Sequence, residues 1–329
     1  MIKLIASDLD GTIIDNKHLI PEDNLKAINN LKKANIPFVV CTGKTYSISK
    51  DICKNLNASF GIFGNGNQII DLSTGEEISR KTLTFGEINS CFSIIKKYNL
   101  HIHAYTEKGI ITSNLEYMDL RNSILFPNKI HIEYTDSILD YIQKQSNTVF
   151  KLVISSEYSL SELKTDLESE TNLTITHICK KGIYRDKILD KEYEYLDISP
   201  LNVTKGKALE ILTQYLELSK DDILSVGDNI NDIDMFRASG IGAAVNNAYD
   251  EVKKVANFVS NNSAENAGFA EVIYNFIKKD RVLNCTKRDP VPFCAIWDQV
   301  SFYIYSLFLS IYSRTSLGNK YLTLFPFFI

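Results

Sequence analysis

The sequence predicts an α/β protein whose core is a doubly wound parallel sheet of the Rossmann type, with a smaller α+β unit inserted into it. Three observations support this fold class. Apolar runs of strand length alternate with helical stretches over residues 4–63, which is typical of βαβ units with right-handed crossovers. This rhythm breaks between about 83 and 190, and it resumes from Leu201 onward.

The first half of the predicted core alternates strands with helices. Buried parallel strands are recognised in a sequence as short apolar runs. An amphipathic helix is recognised by apolar residues at helical spacing, here Leu25, Ile28 and Leu31. A hairpin turn is predicted at Ser73-Thr74-Gly75. We predict strands at 4–7, 36–41, 60–63, 69–71 and 77–82, and helices at 22–34 and 47–56.

The second half of the chain contains the insertion and the rest of the core. Within the insertion we predict helices at 87–98 and 160–168 and strands at 101–105, 109–112, 149–154 and 173–178, and we assign nothing within 114–147. After it we predict helices at 205–217, from 232 and at 271–278, and strands at 223–226, 242–245 and 258–259. We therefore expect a core of residues 1–82 and 190–280, an α+β cap over 83–189 and a tail over 281–329.

Composition narrows the class of protein. The 329 residues are enough for about two domains, and a hydrophobic content of 44% predicts a sizeable core. The net charge of −4 argues against a nucleic-acid partner bound through its phosphates. The six cysteines form no CxxC pair, and the N-terminal residues contain no signal peptide. We therefore expect reduced thiols and a cytoplasmic location.

The tail differs in composition from everything before it. Residues 291–313 are rich in apolar and aromatic side chains, but Asp298, Gln299 and repeated serines interrupt the run. A membrane span needs about 20 predominantly apolar residues. Four interpretations stay open: a membrane-associated helix, a helix packed on the core, a disordered tail, or translation beyond the natural reading frame.

The motif at the end of the first predicted strand points to chemistry. Asp8 and Asp10 lie two residues apart, so in an extended chain their side chains share one face. Gly11 then permits a tight turn close to a ligand. Two neighbouring carboxylates repel each other, and a bound cation relieves this repulsion. Because hard divalent cations bind oxygen ligands, the pair predicts a site for an ion such as Mg²⁺.

Two further predicted strands end in polar residues. Thr42-Gly43-Lys44 follows the strand at 36–41, and Gly227-Asp228 follows the strand at 223–226. Ligands of open α/β sheets bind beyond the carboxyl ends of the strands. We therefore expect these segments, together with Lys205 at the start of a helix, to meet Asp8 at one edge of the sheet.

These four segments, in this order, resemble the motifs of the haloacid-dehalogenase-type phosphatase superfamily. The insertion between the second and third motifs is similar to the cap of the Cof-like branch. Gly64-Asn65-Gly66, and Leu196-Asp197-Ile198-Ser199-Pro200 ahead of Thr204-Lys205-Gly206, also resemble that branch. The resemblance covers about residues 1–280 and excludes the tail.

The resemblance implies roles for the acidic residues. Asp8 is the expected nucleophile, which forms an aspartyl-phosphate. Asp10 is the expected acid for the leaving oxygen and then the base for the attacking water. Mg²⁺ is expected to be held by Asp8, the main-chain carbonyl of Asp10, Asp228 and Asp232. Two alternatives stay open for Asp232: it contacts the metal or a metal-bound water, or it only caps its helix.

The resemblance also implies the residues that bind the phosphoryl group. Thr42, beside the flexible Gly43, is expected to donate a hydrogen bond to it, and Asn231 to orient it. Lys205 is expected to place a positive charge against the phosphoryl oxygens. Gly43 and Lys44 are also expected to bind the substrate, although Lys44 is a departure, because the branch often has Arg after Thr-Gly and lysine cannot form a bidentate fork. Asn67, where a small residue often follows Asn-Gly, is a milder departure.

The sequence therefore predicts a Mg²⁺-dependent phosphatase of small phosphorylated metabolites, sugar phosphates among them. Its dianionic substrate requires charge neutralisation and positioning above all, and the cap is expected to select it by closing over the site. The alternatives within enzymes are a phosphomutase or a phosphatase dedicated to one sugar phosphate. Outside catalysis, they are a binding module and a protein anchored to the membrane through residues 291–313.

Overall fold

The computed structural model describes residues 2–17, 19–114, 131–145, 148–156, 158–179 and 194–277. The strands are β1 (Leu4–Ser7), β2 (Phe38–Cys41), β3 (Phe60–Phe63), β4 (Gln68–Asp71), β5 (Glu77–Arg80), β6 (His101–Thr106), β7 (Ile110–Thr112), β8 (Ile132–Tyr134), β9 (Val149–Ser156), β10 (Thr174–Cys179), β11 (Glu194–Ser199), β12 (Ile223–Gly227), β13 (Ile241–Ala244) and β14 (Phe258–Val259). The α-helices are α1 (Glu22–Lys33), α2 (Tyr46–Asn55), α3 (Phe85–Ile95), α4 (Ile138–Gln145), α5 (Ser161–Glu170), α6 (Lys205–Tyr215), α7 (Ile233–Arg237), α8 (Asp250–Val255) and α9 (Gly268–Phe276).

The first sheet has eight strands in the order β14-β13-β12-β1-β2-β3-β4-β5. The six strands from β14 to β3 are parallel to one another, and β4 and β5 extend the sheet as an antiparallel hairpin. In β1, Ile5 packs into the cluster that contains α1 and α9, whereas Leu4 and Ala6 pack into the cluster that contains α6 and α7. Helices therefore cover both faces, as the predicted doubly wound core requires.

The second sheet has six strands in the order β10-β11-β9-β6-β7-β8. Its pairs are antiparallel except for β7 with β8. Apolar side chains of α3, α4 and α5 form one cluster with side chains of this sheet. The chain thus inserts a sheet covered by helices between β5 and α6, which is the α+β unit that the sequence predicts.

The structure differs from the sequence-based expectation in three places. Strand β11 (Glu194–Ser199) pairs with β9 and β10, so by sheet membership the second unit extends past the expected boundary at residue 189 to Ser199. Strand β8 and helix α4 fall within 114–147, where the sequence predicts no element. Helix α8 (Asp250–Val255) is not predicted either, because it is short and mostly charged, which leaves little apolar periodicity to recognise.

The predictions for the tail concern residues outside the described ranges. Residues 278–329, including the apolar run at 291–313, are not among them. Among the helices of the described ranges, none combines the length and apolar character needed to cross a bilayer.

Candidate active site

The polar segments predicted to meet do meet at one edge of the first sheet. Strands β12, β1 and β2 are neighbours and run parallel, with Ser7 aligned to Val226 on one side and to Val40 on the other. The chain leaves these strands at the same edge, which brings Asp8, Thr42 and Asp228 into adjacent loops.

Three carboxylates converge there. Asp8, Asp228 and Asp232 are all buried, and each offers an oxygen within 4.8 Å of the oxygens of the other two. When all three are ionised, they carry three negative charges. The single ammonium of Lys205 beside them offsets only one of these. Hard oxygen donors with this charge excess fit a divalent cation such as Mg²⁺.

Lys205 is the positive charge at the centre of this cluster. Its Nζ donates to Oδ1 of Asp8 at 2.6 Å and to Oδ1 of Asp232 at 2.7 Å, and its side chain is 1% exposed. Helix α6 can bring it so close because Gly206 lies against helix α7, where an added Cβ would meet the carbonyl oxygen of Asp234 at 2.4 Å. Burial lowers the pKa of Lys205, but the two carboxylates outweigh burial and raise it.

The environment of Asp8 and Asp228 favours their protonated forms. Burial raises the pKa of Asp8 to about 7 against the opposing effect of Lys205, and the charges of Asp232 and Asp10 add to the rise. Burial also raises the pKa of Asp228, and Asp8 and Asp232 reinforce it. A bound cation would remove this penalty, because it favours the ionised carboxylates.

Asp232 has a structural function whatever its relation to a metal. Its Oδ2 accepts from the backbone N–H of Asp228 at 3.0 Å and of Asn229 at 2.9 Å. Gly227 permits this close turn, since an added Cβ there would lie 2.5 Å from Cγ of Asp232. One oxygen of Asp232 thus closes the capping box of the 3-10 turn Ile230–Asp232, whereas its side chain makes no capping hydrogen bond to α7, and the other oxygen accepts from Lys205.

Asp228 is fixed by the loop that follows β1. The hydroxyl of Thr12 donates to Oδ1 of Asp228 at 2.9 Å. Gly11 has a φ of +84°, and an added Cβ would lie 2.4 Å from Oδ2 of Asp228. Thr12 is the last residue of the motif Asp8-Leu9-Asp10-Gly11-Thr12, but the sequence predicts no role for it. Its contact depends on a partner 216 residues away, which no local pattern reveals.

The Asp10 carboxylate lies outside the three-carboxylate group. Its Oδ1 accepts from Nζ of Lys44 at 2.7 Å, and both side chains are partly exposed, at 28% and 19%. The structure therefore does not place the Asp10 side chain among the candidate metal ligands. The resemblance implied only that the main-chain carbonyl of Asp10 contacts the metal. Lys44, the departure from the family pattern, is paired with Asp10.

The predicted phosphoryl-binding residues surround one asparagine that was not predicted as functional. Asn65 accepts from the Asn231 amide at 3.1 Å, and an added Cβ on Gly43 would lie 3.1 Å from Oδ1 of Asn65. Its backbone N–H donates to the carbonyl of Thr42 at 3.0 Å. The sequence offered one signal, an Asn between two glycines, which is common where the backbone adopts positive φ.

Comparison with known proteins identifies the family of the chain. The chain matches the haloacid dehalogenase-like hydrolase family over residues 5–273. It is 26% identical to the 5-amino-6-(5-phospho-D-ribitylamino)uracil phosphatase YcsE of Bacillus subtilis, and the alignment covers 84% of this chain and 96% of the relative.

Solved structures share the fold. A haloacid dehalogenase-like hydrolase from B. subtilis superimposes with a TM-score of 0.71 at 22% identity, covering 84% of this chain and 100% of the other. A HAD subclass IIB sugar phosphatase superimposes with a TM-score of 0.66 at 19% identity, covering 83% and 98%.

The fold and the buried acidic cluster define a hydrolase of the doubly wound α/β class with an inserted cap. The match over residues 5–273 shows that the chain belongs to the haloacid dehalogenase-like hydrolase family. The predicted family, fold class and enzyme class, a phosphoric monoester hydrolase, are thereby confirmed.

Proposed function

We propose that the chain is a Mg²⁺-dependent phosphatase of small phosphorylated metabolites, with Asp8 as the nucleophile. One observation carries this proposal: Asp8 is buried against Lys205 and beside two further carboxylates. A buried carboxylate with only a structural role is expected to be neutralised by one partner. This one belongs to a cluster of three carboxylates around a single lysine, which a divalent cation would balance when all three are ionised.

The residues of the cluster can divide the reaction between them. Lys205 donates to Asp8, so it orients the carboxylate and offsets its repulsion from a phosphate dianion. An oxygen of Asp8 attacks phosphorus, the bond from phosphorus to the leaving oxygen breaks, and Asp10 gives that oxygen a proton. Water then attacks the aspartyl-phosphate, Asp10 takes its proton, and the bond between phosphorus and Asp8 breaks.

The metal would be held by Asp8, the main-chain carbonyl of Asp10, and Asp228, with Asp232 anchoring the loop that carries Asp228. When bound, the ion supplies positive charge to the nucleophile and the phosphoryl oxygens. Thr12 fixes Asp228 for this purpose by its hydroxyl. These contacts support Mg²⁺ over a softer metal, because the donors are all oxygens.

The substrate is proposed to be a sugar phosphate or a related phosphorylated polyol. The phosphatase YcsE acts on a compound with a phosphoribityl chain, and a protein of the same fold is a HAD subclass IIB sugar phosphatase. The phosphoryl group would lie at the edge of the sheet that carries Thr42, Gly43 and Asn231. The partly exposed Lys44 lies beside this edge. The negative net charge gives no support to a nucleic-acid substrate.

The second sheet is proposed to act as the cap that selects the substrate. The strands of this sheet lie between His101 and Ser199, helix α3 (Phe85–Ile95) packs on it, and the described core comprises residues 2–17, 19–82 and 200–277. We also propose a cytoplasmic location, because Cys41, Cys53 and Cys91 are free and buried, which suits a reducing compartment.

The proposal is tested by phosphate release from a panel of sugar phosphates, polyol phosphates and glycolytic acids, with the purified full chain in Mg²⁺ and in EDTA. We expect turnover with Mg²⁺ only, and a loss of at least about 1,000-fold in Asp8→Asn, which removes the nucleophile. Asp140→Asn, the same change at an exposed position, is the control and should retain activity. Activity near wild type in Asp8→Asn would remove Asp8 from the mechanism. Phosphoryl transfer to a second hydroxyl without release would indicate a mutase.

A further inference from the structure

We propose that Asn65 is a positioning residue that connects the Asn231 amide, at the phosphoryl site, to the buried Lys151–Asp197 ion pair of the second sheet. When the cap closes, its contact with Asn65 therefore also fixes the position of the Asn231 amide. The inference rests on the proposed function, because it takes Asn231 to face the phosphoryl group.

The backbone holds Asn65 in place on the core side. It lies in the turn between β3 and β4 with a φ of +58°, a left-handed conformation that asparagine tolerates better than most residues. Its backbone N–H donates to the carbonyl of Thr42 at 3.0 Å, and its side chain is buried over Gly43. The Asn65 side chain is therefore presented to the site in a fixed position.

The Asn65 side chain uses both ends of its amide. Oδ1 accepts from Nδ2 of Asn231 at 3.1 Å, and Nδ2 donates to Oδ2 of Asp197 at 3.3 Å. Neither an aspartate nor a leucine could make both bonds, because aspartate lacks the donor and leucine lacks donor and acceptor. The two partners come from opposite units, since Asn231 follows β12 of the first sheet and Asp197 is in β11 of the second.

The cap side of this connection is equally fixed. Asp197 pairs with Lys151 of β9, and their side chains are 7% and 6% exposed. The Lys151 ammonium also lies 5.1 Å from the ring centroid of Tyr105. Buried ion pairs are held in place by their geometry, because separating the charges would leave each unpaired in an apolar setting. Asn65 therefore bonds to a rigid point of the cap sheet.

Asn231 has few other restraints on its amide. In the described part of the chain its Oδ1 is buried and has no hydrogen-bond partner, so the bond from Nδ2 to Asn65 anchors the amide. If the cap moves away, Asp197 leaves Asn65 and the restraint on Asn231 weakens. Misplacement of a positioning group by about 1 Å can lower a rate by about 100-fold.

The test exchanges the hydrogen-bond donor and acceptor between Asn65 and Asp197. In Asn65→Asp, the acceptor for Asn231 is kept, but a second carboxylate faces Asp197 and the bond to the cap is lost. Adding Asp197→Asn restores a donor opposite the new carboxylate at position 65 and leaves one negative charge near Lys151. We expect kcat of Asn65→Asp to fall about 10- to 100-fold, with Mg²⁺ affinity unchanged, and the double variant to recover to within about threefold of wild type.

A matched control breaks another contact between the units that does not reach Asn231. Arg80 of β5 donates to Glu107, in the turn after β6, at 2.9 Å. Glu107→Gln removes that carboxylate charge and should leave kcat within about twofold of wild type, since exposed ion pairs contribute little. A comparable loss in this variant would show that any contact between the units matters equally.

Three outcomes overturn the inference: Asn65→Asp as active as wild type, a double variant as slow as Asn65→Asp, or a kcat loss in Glu107→Gln as large as that in Asn65→Asp. If Asn65→Asp does not fold, Asn65→Gly keeps the positive φ and deletes the amide, and wild-type kcat in that variant is equally contradictory. Asp8→Asn separates the two proposals. Activity near wild type there refutes the proposed function, whereas the expected loss in Asp8→Asn with no rescue by the exchange refutes only this inference.

Discussion

Two buried lysines of this protein have opposite surroundings. Lys205, at the edge of the first sheet, contacts two carboxylates and has a third beside it, so negative charge is in excess when all three are ionised. Lys151 of the second sheet pairs with one carboxylate, that of Asp197. The difference supports our proposal that the first cluster holds a further cation, whereas the second is a balanced pair that fixes position.

The largest expected effect comes from removing Lys205, the lysine of the unbalanced cluster that it forms with Asp8, Asp228 and Asp232. Lys205→Met leaves three buried carboxylates with no lysine beside them and takes the charge away from the nucleophile. We expect phosphate release to fall about 1,000-fold, in the range seen when a preorganised electrostatic contact is lost. Lys207→Met is the control on the same helix, because Lys207 is exposed and pairs with Glu210 on the helix surface. Equal losses in both variants would contradict the assignment.

Removing the lysine of the balanced pair should act on stability. Lys151→Met leaves Asp197 buried without its counter-charge, and breaking a buried pair in this way costs about 3–5 kcal/mol. Urea unfolding measures this, with Lys164→Met of the partly exposed Lys164–Glu168 pair as the control, expected to change stability by less than about 1 kcal/mol. Unchanged stability in Lys151→Met would show that Asp197 finds another partner.

A smaller effect should come from the loop that fixes Asp228. Thr12→Val preserves the shape of the side chain but removes its hydrogen bond to Asp228. Loss of such an outer contact typically weakens metal affinity about 10-fold or more. Mg²⁺ titration should show this, with the exposed Thr165→Val as the control. Unchanged affinity would separate Thr12 from the metal site.

The sequence predicted the unbalanced cluster far better than the balanced pair. Asp8, Asp228 and Lys205 stand at element boundaries, where local patterns of strand, turn and helix are informative. The bond from Asn65 to Asp197 joins residues 132 positions apart, and only the assembled sheets bring them together. Strand β11 was missed for a related reason, because its buried Asp197 interrupts the apolar run that would identify a strand.

The position of Asp10 shows a second limit of local reasoning. Spacing by two residues predicted that Asp8 and Asp10 share one face, but β1 ends at Ser7, so the strand does not impose this alternation on the two residues. Asp8 enters the buried cluster and Asp10 pairs with Lys44 at the partly exposed side. Period-two arguments hold only as far as the strand continues.

The central claim, that the carboxylates around Lys205 hold a divalent cation, is tested most directly by calorimetric titration of Mg²⁺ into the full chain at pH 6 and pH 8. The pKa of Asp8 is raised to about 7, so at pH 8 it is mostly ionised, whereas at pH 6 an ion must displace its proton. We predict one ion bound, with affinity higher at pH 8 by about 10-fold, and binding lost in Asp228→Asn. Absence of Mg²⁺ binding at both pH values, or undiminished binding in Asp228→Asn, would contradict this claim.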